Sequence, residues 1–244
     1  MQHWPYPRWI AHRGAGKLAP ENTLAAFRHG AAHGYRMFEC DAKLSADGVV
    51  FLMHDATLER TTNGHGVGGD QPWHALSQLD AGSWHSRTHA GEPLPTLEAL
   101  ARYCLANRYL LNIEIKPTPG TEAATGAAVA ALTTRLWQDA DTLPLLTSFQ
   151  PLALAAALQT APHLPRGLLV DTLWEGWLEA ALALRCCAVV ANHILWDTAT
   201  VARVHGAGLR CLSYTVNDEW AAAHLLVLGT DGIITDRVDL FSPA

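Results

Sequence analysis

Short runs of apolar residues alternate with longer Ala/Leu-rich stretches along most of the 244-residue chain. The runs that read as strands are Trp9–His12, Met37–Asp41, Val49–His54, Leu110–Lys116, Leu145–Phe149, Gly167–Val170, Ala188–Ala191, Leu209–Thr215 and Gly232–Thr235. Helix-length segments separate most of them: Asn22–His33, Thr96–Asn107, Glu122–Asp139, Pro151–Thr160, Trp174–Leu184, Thr198–His205 and Asp218–Leu226. Near-continuous apolar strands alternating with helices predict an α/β fold with a parallel sheet covered by helices. At this length a TIM (β/α)8 barrel is expected, as a single domain over residues 1–244.

Nine candidate strands compete for eight barrel positions. The link from Asp41 to Val49 is too short for a parallel crossover, which takes about 10–12 residues. Asp47-Gly48 is instead a hairpin signal. Val49–His54 is therefore expected to fold back antiparallel on the run from Met37, with His54 opposite Asp41. Residues from about 56 to 95 break the alternation with Thr61-Thr62-Asn63-Gly64, Gly68-Gly69, Trp73, Trp84, Pro93 and Pro95. So long an irregular stretch in a compact domain reads as an inserted, loop-rich subdomain over the mouth of the barrel.

Composition narrows the class. A formal charge of −6 argues against nucleic acid as a partner, which would call for a basic face or tail. No stretch reaches the roughly 18 apolar residues of a membrane span, and the first residues, MQHWPYPRWIAHRG, lack the pattern of a secretory signal. Five cysteines, an odd number without metal-type spacing, suit reduced thiols. The expected location is cytoplasmic.

Three strand ends gather the polar residues: His12-Arg13-Gly14, Glu39-Cys40-Asp41 and Glu114-Ile115-Lys116. In this fold catalytic groups collect at the C-terminal ends of different strands. Glu39 and Asp41 are two apart on a strand and share a face, as do Glu114 and Lys116. Three convergent carboxylates suit a hard divalent cation, Mg2+ or Ca2+. Plain ion pairing of these acids with Arg13 and Lys116 is an equally good reading at this point.

Of the thirteen histidines, His29, His33, His163, His205 and His224 fall in helices or loops and His3 in the N-terminal tail, where surface positions are expected, while substrate contact stays open for His65, His74, His85 and His89 in the insertion. His193, after Ala188–Ala191, stays a weaker candidate. His12 and His54 differ because they end apolar strands beside the acidic positions. Two imidazoles could supply the base and the acid for phosphodiester cleavage near neutral pH. Arg13 suits a bidentate phosphate contact and Lys116 a point charge. In Pro20-Glu21-Asn22-Thr23 either Asn22 or Thr23 could cap a helix; alternatively Glu21 and Asn22 face the phosphate site, with Asn22 donating to an oxygen.

These residues resemble the bacterial glycerophosphodiester phosphodiesterases, close to the small cytoplasmic type. The matching segments are AHRGAGKLAPENTLAAF (11–27), FECDAKLSADGVVFLMHDATLERTTNGHG (38–66), PLPTLEAL (93–100), NIEIKP (112–117), SF (148–149), YTVN (214–217) and DGIITDR (231–237). The resemblance implies a TIM barrel with an insertion after the second histidine. It implies His12 and His54 as acid and base, and Glu39, Asp41 and Glu114 as ligands of Mg2+ or Ca2+. Arg13 and Lys116 would lie near the phosphate of a small glycerophosphodiester, which is cleaved to glycerol 3-phosphate and an alcohol. Tyr214 stands where many relatives carry Trp. The alternative is a lysophospholipase-D-like phosphodiesterase of the same superfamily, which would need an exposed apolar rim; Trp73 and Trp84 are candidates for one.

Overall fold

Nine strands lie in one sheet of a computed structural model that describes residues 4–241 and 243. His3 and the outermost ends of the expected 1–244 domain lie outside the described residues. The strands are β1 (Trp9–Ala11), β2 (Met37–Leu44), β3 (Val50–Leu52), β4 (Leu110–Ile115), β5 (Leu145–Ser148), β6 (Arg166–Val170), β7 (Ala188–Asn192), β8 (Arg210–Tyr214) and β9 (Gly232–Thr235). All but β3 run parallel, and β1 pairs with both β2 and β9. The parallel sheet thus closes on itself as a TIM barrel.

Eight α-helices are spaced along the described residues: α1 (Leu24–Ala32), α2 (Trp73–Leu76), α3 (Leu97–Asn107), α4 (Glu122–Leu136), α5 (Pro151–Thr160), α6 (Trp177–Ala183), α7 (Thr198–Gly206) and α8 (Glu219–Leu228). Side-chain oxygens of Thr23, Thr96, Asp197 and Asp218 accept from the first turns of α1, α3, α7 and α8, satisfying amides that have no partner within the helix.

The strand period of two sorts the core into layers. Ile10, Met37, Leu145, Leu169, Val190, Leu212 and Ile234 fill the barrel interior. Their neighbours Phe38, Cys40, Ile113, Leu146, Val189 and Ile233 face the helices. Following the inward face up β2, Met37 gives way to Glu39 and Asp41, so an apolar plug supports a polar upper layer. No helix among the described residues is long and apolar enough to cross a membrane.

β3 returns antiparallel on β2, as expected, but the register differs by one residue. Ala42 pairs with Leu52, and the Met53 amide donates to the Asp41 carbonyl at 3.0 Å, so Met53 and not His54 opposes Asp41. The reason is the turn. Ser45 and Val49 close a three-residue loop, Ala46-Asp47-Gly48, with Gly48 at φ +85°. A two-residue turn would have left His54 opposite Asp41; the extra residue shifts the pairing.

Residues 56–95 hold α2 and single helical turns at Gly68–Asp70 and Arg87–His89. Leu58, Leu76, Ala81 and Leu94 pack on Phe51 and Met53 in a cluster of their own. Trp73 packs beside Phe51, and the indole N–H of Trp84 donates to the Ala81 carbonyl at 2.8 Å.

Candidate active site

Parallel pairing of β2 with β4 puts Glu39 beside Asn112 and Asp41 beside Glu114. One oxygen from each of Glu39, Asp41 and Glu114 lies within 4.8 Å of the others, and all three residues are buried. Burying carboxylates costs several kcal/mol per ion unless cations compensate. Lys116 Nζ is 2.8 Å from Glu114 Oε1 and 3.7 Å from Asp41 Oδ1, and Arg13 Nε is 3.2 Å from Asp41 Oδ2. Ion pairing therefore accounts for Asp41 and Glu114. It does not account for Glu39, which accepts the Arg13 backbone N–H at 3.0 Å on Oε2 while its Oε1 is buried without a hydrogen-bond partner.

The titration tendencies follow from this geometry. Burial, then the charges of Asp41 and Glu114, raises Glu39 well above the usual carboxylate range. Glu114 is pushed up to about 7 by burial and by Asp41. For Asp41 burial acts upward, yet Arg13, Lys116, His54 and the Asn22 hydrogen bond together hold it well below the usual range. A cluster of this kind, with three carboxylates beside the cations of Arg13 and Lys116, could hold a further positive charge.

His12 follows β1, its amide donating to the Thr235 carbonyl at 2.9 Å. Its Nδ1 is 2.6 Å from Asp236 Oδ1, and its Nε2 is 3.8 Å from Glu39 Oε2. Asp236 is held in turn by Asn217, whose Nδ2 donates to Oδ2 at 2.8 Å and whose Oδ1 accepts the Asp236 amide at 2.9 Å. The hydrogen bonds to His12 and Asn217 hold Asp236 below the usual carboxylate range against its burial. An ionised Asp236 can only accept, so His12 Nδ1 carries the hydrogen and Nε2 is left outside that bond.

His54 repeats the arrangement, with Nδ1 at 2.8 Å from Asp55 Oδ1. Burial pushes its imidazole down, with Arg13 and Lys116 adding to the effect and Asp41 opposing it. Asp236, Asn217 and Asp55 had no assigned role in the sequence. Their motifs were visible, but Asp236 lies 224 positions from His12, and no local pattern reports such a contact.

The loop between β1 and α1 is shaped for close approach. Arg13 and Asn22 adopt positive φ, +49° and +59°, and the Asn22 amide donates to the Arg13 carbonyl at 3.0 Å. Such conformations are costly for side chains other than glycine and gather at functional sites. A Cβ on Gly16 would collide with the backbone of Asp236, so the loop can pass behind the His12 partner only with glycine there.

Thr23, not Asn22, caps α1. Asn22 was expected to donate to the substrate phosphate. In the structure it is buried, its Nδ2 donates to Asp41 Oδ2 at 2.8 Å, and its Oδ1 accepts the Asp41 amide at 3.1 Å. Both ends of the amide thus serve Asp41, one its carboxylate and the other its backbone N–H. Glu21, paired with it in the sequence reading, accepts from Arg13 at 2.9 Å.

A cavity of about 280 Å3 is lined by His12, Arg13, Glu39, His54, Glu114 and Lys116 together with Phe149, Leu169 and Tyr214. The volume suits a small polar ligand. A larger hollow of about 800 Å3, lined by Trp4, Tyr6, Leu143, Pro165, Arg185 and Leu209, opens at the opposite end of the strands. It contains none of the converging groups, so chemistry and not size places the site. His193 forms a turn after β7 and is not part of the cavity wall.

Comparison with known proteins bears on the family. Residues 12–240 match the Glycerophosphoryl diester phosphodiesterase family. The chain is 34% identical over 235 residues to a glycerophosphodiester phosphodiesterase of Caldanaerobacter subterraneus subsp. tengcongensis, covering 93% of each chain. It is 30% identical over 249 residues to the glycerophosphodiester phosphodiesterase of Bacillus subtilis, covering 95% of this chain and 84% of that one. Among solved structures, an Oleispira antarctica phosphodiesterase in complex with its product sn-glycerol-3-phosphate superposes with a TM-score of 0.88 at 34% identity, covering 94% of this chain and 93% of that one.

Proposed function

The chain belongs to the glycerophosphoryl diester phosphodiesterase family and is a glycerophosphodiester phosphodiesterase; from that premise we propose metal-dependent hydrolysis in which His12 and His54 act as general acid and base. The products would be glycerol 3-phosphate and the free alcohol, the first being the product bound by the Oleispira enzyme. The observation that carries this reading is that His12, His54, Glu39 and Glu114 line one cavity.

Glu39, Asp41 and Glu114 would hold a hard divalent ion, Mg2+ or Ca2+, and the unpartnered Oε1 of Glu39 is the atom such an ion would satisfy. When bound, the ion would offset charge on the non-bridging phosphate oxygens and acidify the attacking hydroxyl. Arg13 and Lys116, on the cavity wall, would share the phosphate, Arg13 as a fork and Lys116 as a point charge. Asn22 is proposed to orient Asp41.

One histidine, neutral at Nε2, takes the proton of the glycerol 2-hydroxyl as that oxygen attacks phosphorus. The bond from phosphorus to the alcohol oxygen breaks, and the other histidine donates its proton to the leaving alkoxide. Water then opens the cyclic phosphate with the two roles exchanged. Direct attack by water is the competing route. His12→Ala and His54→Ala should each lose most activity with the fold intact, and near-normal turnover in either would reject the assignment.

The lysolipid alternative gains one observation. Leu173 and Trp174, after β6, and Ile194, after β7, are exposed at the end of the strands that carries the cavity. Preference for a lysolipid over glycerophosphocholine would favour that reading.

A further inference from the structure

His54 lies beyond the end of β3, so the sheet ladder does not fix it. What stands behind it is a chain of side chains that reaches into the inserted segment. Arg60 donates to Asp55, the His54 partner, from Nε to Oδ2 at 2.6 Å and from Nη2 to Oδ1 at 3.0 Å. The same guanidinium donates to Glu21, from Nη1 to Oε2 at 2.9 Å and from Nη2 to Oε1 at 2.8 Å. Glu21 Oε1 also accepts from Arg13 Nη1 at 2.9 Å. One planar cation therefore clamps two carboxylates, each bidentate, one supporting His54 and the other supporting Arg13.

Arg60 is itself seated by the insertion. Leu58, two residues earlier, is buried in the cluster with Phe51, Met53 and Leu76. The Thr62 amide and hydroxyl both donate to the Leu58 carbonyl, at 3.0 and 2.7 Å, fixing the turn from which Arg60 projects. The Arg60 side chain is 44% exposed, so a small solute can reach its place.

We propose that Arg60 is a positioning residue that locks His54 and Arg13 in one working geometry and so ties catalytic competence to the seating of the 56–95 segment. It acts through Asp55 and Glu21. With Asp55 held as an ionised acceptor, His54 keeps its hydrogen on Nδ1 and turns Nε2 toward the cavity. Lysine cannot substitute, because a single ammonium lacks the fork that spans both carboxylates. The inference rests on reading His54 and Arg13 as working residues, and its test has an arm independent of turnover.

The experiment compares wild type, Arg60→Ala and Arg60→Lys. Steady-state kinetics on glycerophosphocholine should show kcat falling about 10–100-fold in Arg60→Ala, the range for loss of a supporting partner, with KM little changed. Arg60→Lys should recover little of that loss. Added guanidinium should restore Arg60→Ala several-fold, and urea should not. The nitrogen NMR of His54, assigned with His54→Asn, should show the Nδ1–H form of the neutral ring in wild type and a rise of the Nε2–H form in Arg60→Ala. An unchanged kcat with an unchanged ring form would overturn the proposal, as would a loss accompanied by a lowered thermal midpoint and no guanidinium rescue. An inactive wild type would count against the proposed function alone, while the ring form would still decide the role of Arg60.

Discussion

The Nδ1 of His12 and Oδ1 of Asp236 stand 2.6 Å apart, joining the start of the barrel to its last strand. Asp236 is oriented by two hydrogen bonds to Asn217. The pair fixes which nitrogen of His12 would meet substrate in the proposed mechanism, and its carboxylate would stabilise the imidazolium when that ring holds the proton. Asp236→Asn keeps the shape but offers the wrong hydrogen-bonding partner. The expected result is a fall in kcat of about 100-fold or more with a small change in KM, read by steady-state kinetics. A variant within a few-fold of wild type would remove Asp236 from the account.

The buried amide of Asn22 spans the Asp41 carboxylate and backbone. Asn22→Gly retains the positive φ that this position needs while deleting that support. Metal affinity, measured by titration calorimetry with Mg2+, should fall about 10–100-fold, the usual effect of losing a partner that orients a ligand. Equal affinity would mean that Asp41 is held well enough by Arg13 and Lys116 alone.

Burial and Asp41 push Glu114 up to about 7, so the metal-free fold is affected by pH in a definite direction. A carboxylate raised in the folded state contributes stability that is fully present below its ordinary value of 4.5 and is lost as pH rises through about 7. A divalent ion binds the ionised form and should offset that loss. The difference in thermal midpoint between Mg2+ and chelator should therefore grow between about pH 5 and 8. A difference that stays flat, or shrinks, would contradict the placement of Glu114 among the ligands.

How much of this was legible in the sequence depends on the range of each interaction. The inward faces of β2 and β4 follow from a period of two, so Glu39, Asp41 and Glu114 could be placed on converging strands from their spacing alone. The hairpin could be read from Asp47-Gly48, but its register could not. One extra loop residue puts Met53 opposite Asp41, and His54 reaches the cavity only because β3 ends at Leu52 and the chain turns. Asn22 looked like a helix cap or a phosphate donor because the cap signal of Thr23 and the long reach to Asp41 are not separable by spacing. Asp236, the partner of His12, and Glu21, one of the two partners of Arg60, come from distant parts of the chain. They needed the closed fold to be seen.

The glycerol 2-hydroxyl is the nucleophile in the proposed first step, with one histidine as its base. A glycerophosphodiester lacking that hydroxyl should be turned over at least about 100-fold more slowly, the lower end of what general-base activation of a nucleophile supplies. Fast release of the alcohol from such a substrate would favour direct attack by water.

Metal dependence is the claim that joins the acidic cluster to the two histidines, and chelation tests it most directly. The protein is stripped of metal, its metal content is checked by elemental analysis, and glycerol 3-phosphate release from glycerophosphocholine is followed as Mg2+ or Ca2+ is titrated back. The expected result is negligible release without metal, saturable recovery with it, and no recovery at the same concentrations in Glu39→Gln. Full release from the verified metal-free protein would contradict the account and leave the cluster as an ion-paired end of the barrel.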